Sequence, residues 1–288
     1  MNCNICPRHC NVNREVKTGF CGVSDKLKVA KACLHFWEEP PISGEKGSGT
    51  IFFSGCNLKC VFCQNYEVSR GFGKEITIER LVDIYKELED KGANNINLVT
   101  ACHFVPQIVK SFEIYKPAIP IVYNSSGYES IETLKMLDGI IDVYLPDLKY
   151  SDNELAYKYS KCKDYFSVAT KAILEMKRQQ PKDLFENSLM KKGVIIRHLI
   201  LPNELKNTDG VLNWFNENLS KDSYISLMGQ FTPFGQAKNI DELNRSLKPL
   251  EYKIEINKLL NMGFKNSFIQ ELESSSKEYI PIFNLEGV

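Results

Sequence analysis

After residue 48 short apolar runs alternate with longer segments of helical period, the pattern of parallel βαβ units and not of hairpins. Candidate strands fall at residues 50 to 54 (TIFFS), 95 to 99 (NINLV), 119 to 123 (IPIVY), 141 to 145 (IDVYL), 194 to 200 (VIIRHLI) and 223 to 228 (SYISLM). Between the first two, TIERLVDIYKELEDKG puts Ile78, Leu81, Val82, Tyr85 and Leu88 on one helical face, with Thr77 to cap it and Gly92 to end it. Further helices are predicted at about 103 to 115, 129 to 138, 165 to 179, 207 to 219 and 249 to 262. Six such units can curl into an open barrel or lie flat as a doubly wound sheet, and periodicity does not choose. Either way ligands gather at the carboxyl ends of the strands.

Composition narrows the class without naming the chemistry. The 288 residues are 43% hydrophobic, enough for one large α/β core. Lys and Arg number 36, equal to Asp and Glu, so there is no overall basic field for nucleic acid or an anionic membrane. The longest apolar stretch, GVIIRHLILP, carries Arg197 and His198 in its middle and is too short to span a bilayer. The start, MNCNICPRHCN, lacks the apolar core of a secretory signal, and a cytoplasmic protein is expected.

In a reducing compartment clustered cysteines read as metal ligands before disulfides. Cys56, Cys60 and Cys63 fall within SGCNLKCVFCQNY, directly after the first candidate strand. A structural site closes with four ligands, whereas three thiolates leave one position open for chemistry. Thiolates select zinc, copper(I) or iron–sulfur clusters, and three can hold three irons of a [4Fe–4S] cube. Half of a zinc site with a remote partner is the competing reading. Cys3, Cys6, Cys10 and Cys21 form a second group, C-x2-C-x3-C-x10-C, sufficient by itself to close a zinc or iron–sulfur site. Cys33, Cys102 and Cys162 stand alone and read as small buried hydrophobes.

C-x3-C-x2-C with an aromatic before its last cysteine, on the loop after the first strand of a βα array, resembles the radical S-adenosylmethionine superfamily. GSGTIFFSGCNLKCVFCQN, NINLVTACHFVPQI, VYNSSGY, DVYLPDLKY, IIRHLILPN and LMGQFTP are similar to successive strand ends in the branch of pyruvate formate-lyase activating enzyme. The resemblance implies a partial (β/α)6 TIM-like barrel over 48–288 and an N-terminal cysteine-rich metal-binding arm over 1–47. It implies that Cys56, Cys60 and Cys63 hold a [4Fe–4S] cluster whose open iron takes S-adenosylmethionine, with Phe62 bordering the adenine. Reductive cleavage to a 5'-deoxyadenosyl radical and hydrogen abstraction from a substrate follow from it. So does a one-electron donor such as flavodoxin or ferredoxin. The substrate is a glycine of a partner protein or, alternatively, a small molecule or another peptide; a non-enzymatic protein with structural zinc is the reading from a different class.

Within that frame the second strand ends in VTACHF where the superfamily often has Gly-Gly-Glu, so Thr100 and Ala101 would offer backbone carbonyls to the methionine amino group. Asn124 and Ser126 can reach a ribose hydroxyl or cap a helix. Asp147 and Lys149 match an Asp-x-Lys near the nucleoside; being alternate residues they share a face, and can converge on a ligand or pair with each other. Arg197 and His198 point to opposite faces of one strand, so at most one faces the interior. Arg197 can engage the methionine carboxylate or a protein carboxylate, and Gln230 lies near a histidine position of the activating enzyme. His103 reads first as a locally bonded helix-start residue. Trp37, Glu38 and Glu39 either line the mouth of the site or pack outside the barrel.

Overall fold

The computed structural model describes residues 3–270 and 281–288. In chain order its elements are β1 (Lys28–His35), α1 (Pro40–Ser43), β2 (Ser48–Phe53), α2 (Tyr66–Ser69), β3 (Lys74–Glu75), α3 (Ile78–Asp90), β4 (Ile96–Val99), α4 (Val105–Ile114), β5 (Ile121–Ser125) and α5 (Ile131–Met136). These are followed by β6 (Val143–Pro146), α6 (Asn153–Ser160), α7 (Tyr165–Gln179), β7 (Leu184–Glu186), β8 (Leu189–Leu199), α8 (Leu205–Asn218), β9 (Tyr224–Met228), α9 (Pro249–Asn261) and β10 (Asn266–Ile269).

The predicted strands are the parallel strands β2, β4, β5, β6, β8 and β9, with β10 added beyond β9. They neighbour one another in chain order without reversal, so there is no topological switch point. A doubly wound sheet needs that reversal; a progressive order curls into a partial barrel, and that is the architecture here. The far edge is extended by β1, antiparallel to β2, and by the two-residue β3. Thus Lys28–His35, inside the segment assigned from sequence to the cysteine-rich arm, is a strand of the main sheet. Helix α6, strand β7 and the first residues of β8, which pair with β7, lie outside the sequence-derived elements.

Local rules account for the matched elements. Helix α3 begins where the Thr77 side chain accepts from the Arg80 backbone N–H. It ends before Gly92, whose φ of 79° suits a left-handed cap. Its face Leu81, Val82, Ile84, Tyr85 and Leu88 is buried, each large side chain contributing roughly 1.5–3 kcal/mol. Tyr85 stacks on Phe112 of α4 at 5.2 Å. No helix among the described residues is long and apolar enough to cross a membrane.

Candidate functional site

One cavity opens at the carboxyl ends of the parallel strands. It is lined by Cys56, Cys60, Phe62 and Cys63 from the loop after β2, by Thr100 after β4, and by Asn124 and Ser126 at the end of β5. Asp147 and Lys149 after β6, Arg197 of β8 and Gln230 after β9 complete the wall. Of the barrel residues assigned from sequence to the cluster or to S-adenosylmethionine, all meet there except Ala101, which is buried beside the wall and whose carbonyl accepts the Phe104 N–H at 2.9 Å. Thr100 sits at φ 59°, a costly conformation for a β-branched residue, with its N–H donated to Asn124 O at 3.0 Å.

The cysteine loop is fixed from several sides. Gly55 has φ 86°, and a Cβ there would stand 2.8 Å from the Cys21 carbonyl. The Cys56 N–H donates to that same carbonyl at 3.2 Å, and Arg8 Nε donates to Asn57 O at 2.7 Å, so the arm is bonded directly to the loop. Ser160 Oγ donates to Cys60 Sγ at 3.0 Å. Phe62 is buried, its ring edge-on to Tyr150, Tyr159 and Phe231.

The donor set fits an iron–sulfur cluster. Burial pushes the Cys63 thiol up to about 12, with Cys56 and Cys60 adding to the effect, and burial followed by Cys60 raises Cys56. Three mutually repelling thiolates in a buried loop require compensating cations. Among the described residues no three His, Cys, Asp or Glu are arranged to hold a single metal ion. Each of the three thiolates would bind its own iron of a cluster, with the fourth iron open.

Beneath the loop Arg197 is the hub of a buried polar network. Its Nε donates to Asp147 at 2.8 Å, one terminal nitrogen to Glu38 at 3.1 Å, and the other to Asn124 at 2.7 Å; Glu39 is 3.6 Å away. Asp147 also accepts from Lys149. Burial opposes ionisation of Asp147, but Arg197 and Lys149 outweigh it and hold the carboxyl below its usual range. Burial likewise opposes the Arg197 charge, and Asp147, Glu39 and Glu38 overcome it. Glu38 and Glu39 are raised, burial exceeding the pull of Arg197. Of the two sequence alternatives for Asp147 and Lys149, the side chains pair with each other while still facing the cavity. Trp37, Glu38 and Glu39 line the cavity too.

Both histidines considered from sequence lie off the cavity wall. His198 donates from Nδ1 to Leu148 O at 2.6 Å and accepts at Nε2 from Thr208 at 3.0 Å; burial lowers it to about 4. His103 donates from Nε2 to Ser54 O at 2.8 Å, and burial lowers it to about 4 as well. Both are neutral structural groups.

The arm cysteines lie outside the cavity. Cys10 Sγ accepts the Phe20 N–H at 3.2 Å, and a Cβ on Gly19 would stand 3.3 Å from Cys10 Sγ and 3.8 Å from Cys21 Sγ. Cys6 is lowered to about 6, chiefly by a hydrogen bond from Cys102. Cys102, read from sequence as an isolated hydrophobe, is buried but faces the arm; only the packing of arm on strand end reveals this. Ser125, which also lines the cavity, lay between two residues chosen from sequence and carried no signal of its own.

Residues 50–207 match the radical SAM superfamily. An uncharacterized protein of Methanocaldococcus jannaschii is 33% identical over 275 residues, covering 91% of this chain and 75% of the relative. A second uncharacterized protein of that organism is 25% identical over 239 residues, covering 74% of this chain and 64% of the relative. Among solved structures, HydG, a maturase of the [FeFe]-hydrogenase, has a TM-score of 0.53 at 15% identity, covering 80% of this chain and 53% of its own. Methylornithine synthase (PylB) has a TM-score of 0.50 at 19% identity, covering 74% and 60%. These similarities support the fold, and the chain spans little more than half the length of those two structures.

Proposed function

Because this chain belongs to the radical SAM superfamily, we propose that it is an iron–sulfur enzyme that cleaves S-adenosylmethionine and abstracts a hydrogen atom from a substrate. The observation that carries the proposal is the meeting of Cys56, Cys60 and Cys63 with Asp147, Lys149 and Arg197 in one cavity at the strand ends. When bound, a [4Fe–4S] cluster on the three thiolates and S-adenosylmethionine at its open iron supply a 5'-deoxyadenosyl radical after one-electron reduction. The protein's part is positioning and exclusion of water. Phe62 would border the adenine. Asn124 and Ser126 would meet the ribose. Asp147 and Lys149 would hold the nucleoside end, Thr100 would lend its carbonyl to the methionine amino group with Ala101 supporting the turn, and Gln230 would close the far wall. Arg197 keeps Asp147 ionised and aimed, and its guanidinium also stands within the cavity to meet a carboxylate.

The substrate reading is glycyl-radical activation: removal of the α-hydrogen of a glycine in a partner protein. Its support is the open sheet, whose first and last strands do not pair among the described residues and so leave a side through which a peptide loop can enter. The second reading, a small molecule or another peptide, is favoured by Glu38 and Glu39, acids that line the cavity wall. A one-electron donor of the flavodoxin or ferredoxin kind and a cytoplasmic location belong to the same proposal. So does a second metal, zinc or iron–sulfur, on Cys3, Cys6, Cys10 and Cys21, supported by the juxtaposition of Cys10 and Cys21 at Gly19.

Anaerobic reconstitution, iron and sulfide counting, and assay of 5'-deoxyadenosine under strong reductant test the central claim. Replacing all three loop cysteines with Ala is expected to remove about four irons and all cleavage; cleavage that persists refutes it, and colourless zinc protein without cleavage supports the structural-zinc class. Electron paramagnetic resonance with candidate glycyl-radical enzymes then tests the substrate, a missing glycyl doublet despite competent cleavage excluding activation.

A further inference from the structure

Positive charge collects around the cysteine loop of a chain that is neutral overall. Arg8 bridges the loop to the end of α6, donating from Nε to Asn57 O at 2.7 Å and from a terminal nitrogen to Ser160 O at 2.9 Å. Its guanidinium lies 3.9 Å over the Phe20 ring, and the ammonium of Lys59, the residue before Cys60, lies 5.4 Å from the same ring. Arg70 donates to Lys59 O at 3.4 Å, extending the group to one side. On the other side Lys161, whose carbonyl also accepts from Arg8, and Lys163 stand 5.4 and 5.1 Å from the Tyr157 ring.

None of these five cations makes an ion pair with Asp or Glu among the described residues, although cations elsewhere, such as Lys158 with Glu242, do. The acids nearby only partly offset the group, being fewer than its cations. Asp164 accepts from Tyr128, Glu242 is taken by Lys158, and Glu67 is exposed one turn before Arg70. Arg70, Lys161 and Lys163 are exposed, while Arg8 and Lys59 are half-buried. Like charges held together without counter-ions oppose the folded state and favour an anionic partner. Because Lys59 lies between two of the cluster cysteines, a partner seated here is within a residue or two of the ligands.

We propose that Arg8, Lys59, Arg70, Lys161 and Lys163 form the docking surface for an acidic protein that delivers one electron to the cluster. The inference rests on the iron–sulfur reading of Cys56, Cys60 and Cys63. The transfer is a single outer-sphere step: the carrier is oxidised by one electron and the cluster reduced by one, with no bond made or broken. Docking by charge raises the encounter rate and is screened over about 10 Å at 0.1 M salt.

The test follows loss of the cluster's visible absorbance by stopped flow in full-length reconstituted protein, mixed either with reduced flavodoxin or with photoreduced deazariboflavin, a small nearly neutral reductant. The wild-type rate with flavodoxin is expected to fall by about tenfold or more between low and high salt. The double variant Arg70→Glu with Lys163→Glu, carrying wild-type iron, is expected to react about tenfold or more slowly with flavodoxin and within about twofold of wild type with deazariboflavin. Lys59→Asn, chosen because Asn tolerates the φ of 53° at that position, gives a smaller loss of the same kind. A salt-independent flavodoxin rate, no slowing in the variants, or equal slowing with both reductants overturns the docking surface. A wild-type cluster that deazariboflavin does not reduce overturns the underlying iron–sulfur reading instead.

Discussion

Replacing Arg197 with Met removes the cation from a buried site that holds Glu38, Glu39 and Asp147 and leaves Lys149 as the remaining partner. At an effective dielectric of about 20 the 2.8 Å contact to Asp147 corresponds to about 6 kcal/mol of Coulomb energy and the 3.1 Å contact to Glu38 to about 5. Most of that is offset by desolvation of the guanidinium, and breaking such a pair by removing one partner costs about 3–5 kcal/mol net. For 288 residues the expected change in midpoint is therefore a fall of about 5–8 °C. The pH dependence carries a sign. Glu38 and Glu39 already lie above the ordinary carboxylate value of about 4.3 because burial raises them, and losing Arg197 raises them further. A carboxyl raised in the folded state contributes stability that is full below the unfolded value and lost as pH climbs through the folded one. The deficit of Arg197→Met relative to wild type should thus widen from about pH 5 to pH 8, and Arg197→Lys should recover part of it. Urea unfolding of the metal-free protein, followed by circular dichroism under anaerobic conditions at several pH values, measures both. A variant within about 0.5 kcal/mol of wild type, or a deficit independent of pH, refutes the claim that this network is held by compensated charge.

Gly127 has φ 77°, and a Cβ would stand 2.2 Å from the Asp147 carbonyl, so Gly127→Ala is expected to cost roughly 2 kcal/mol or more in urea unfolding and to weaken S-adenosylmethionine binding in calorimetry. Cys6→Ala should remove one metal equivalent from the arm in elemental analysis while the main cluster's absorbance remains; loss of both together counts against separate sites. His103 and His198, each buried and lowered to about 4, contribute stability that is present above about 6.5 and lost as pH falls towards 4, on the order of 3 kcal/mol per histidine. Acid unfolding of His198→Gln should accordingly begin at lower pH than in wild type, and an unchanged acid limb refutes this for His198.

The alternation of apolar runs and amphipathic segments determined the parallel strands β2, β4, β5, β6, β8 and β9, because each needs only local period and local burial to be recognised. The three cysteines were equally legible, since the loop that carries them is contiguous and follows a strand end directly. Strand β1 was not. Its sequence KVAKACLH pairs at the sheet edge with partners that local spacing does not name, and β10 has four residues. The choice between barrel and flat sheet was also beyond periodicity, because it rests on strand order, a relation among elements tens of residues apart. Only the fold could decide that Arg197 and not His198 faces the cavity, since alternation says the two differ without saying which turns inward. The same holds for the contact of Cys102 with Cys6 and for the meeting of Arg197 with Glu38 across 159 residues of chain. Chemistry written within one turn or loop is readable from the chain, whereas charge compensation depends on which distant residues burial brings together, and that is a property of the packed molecule.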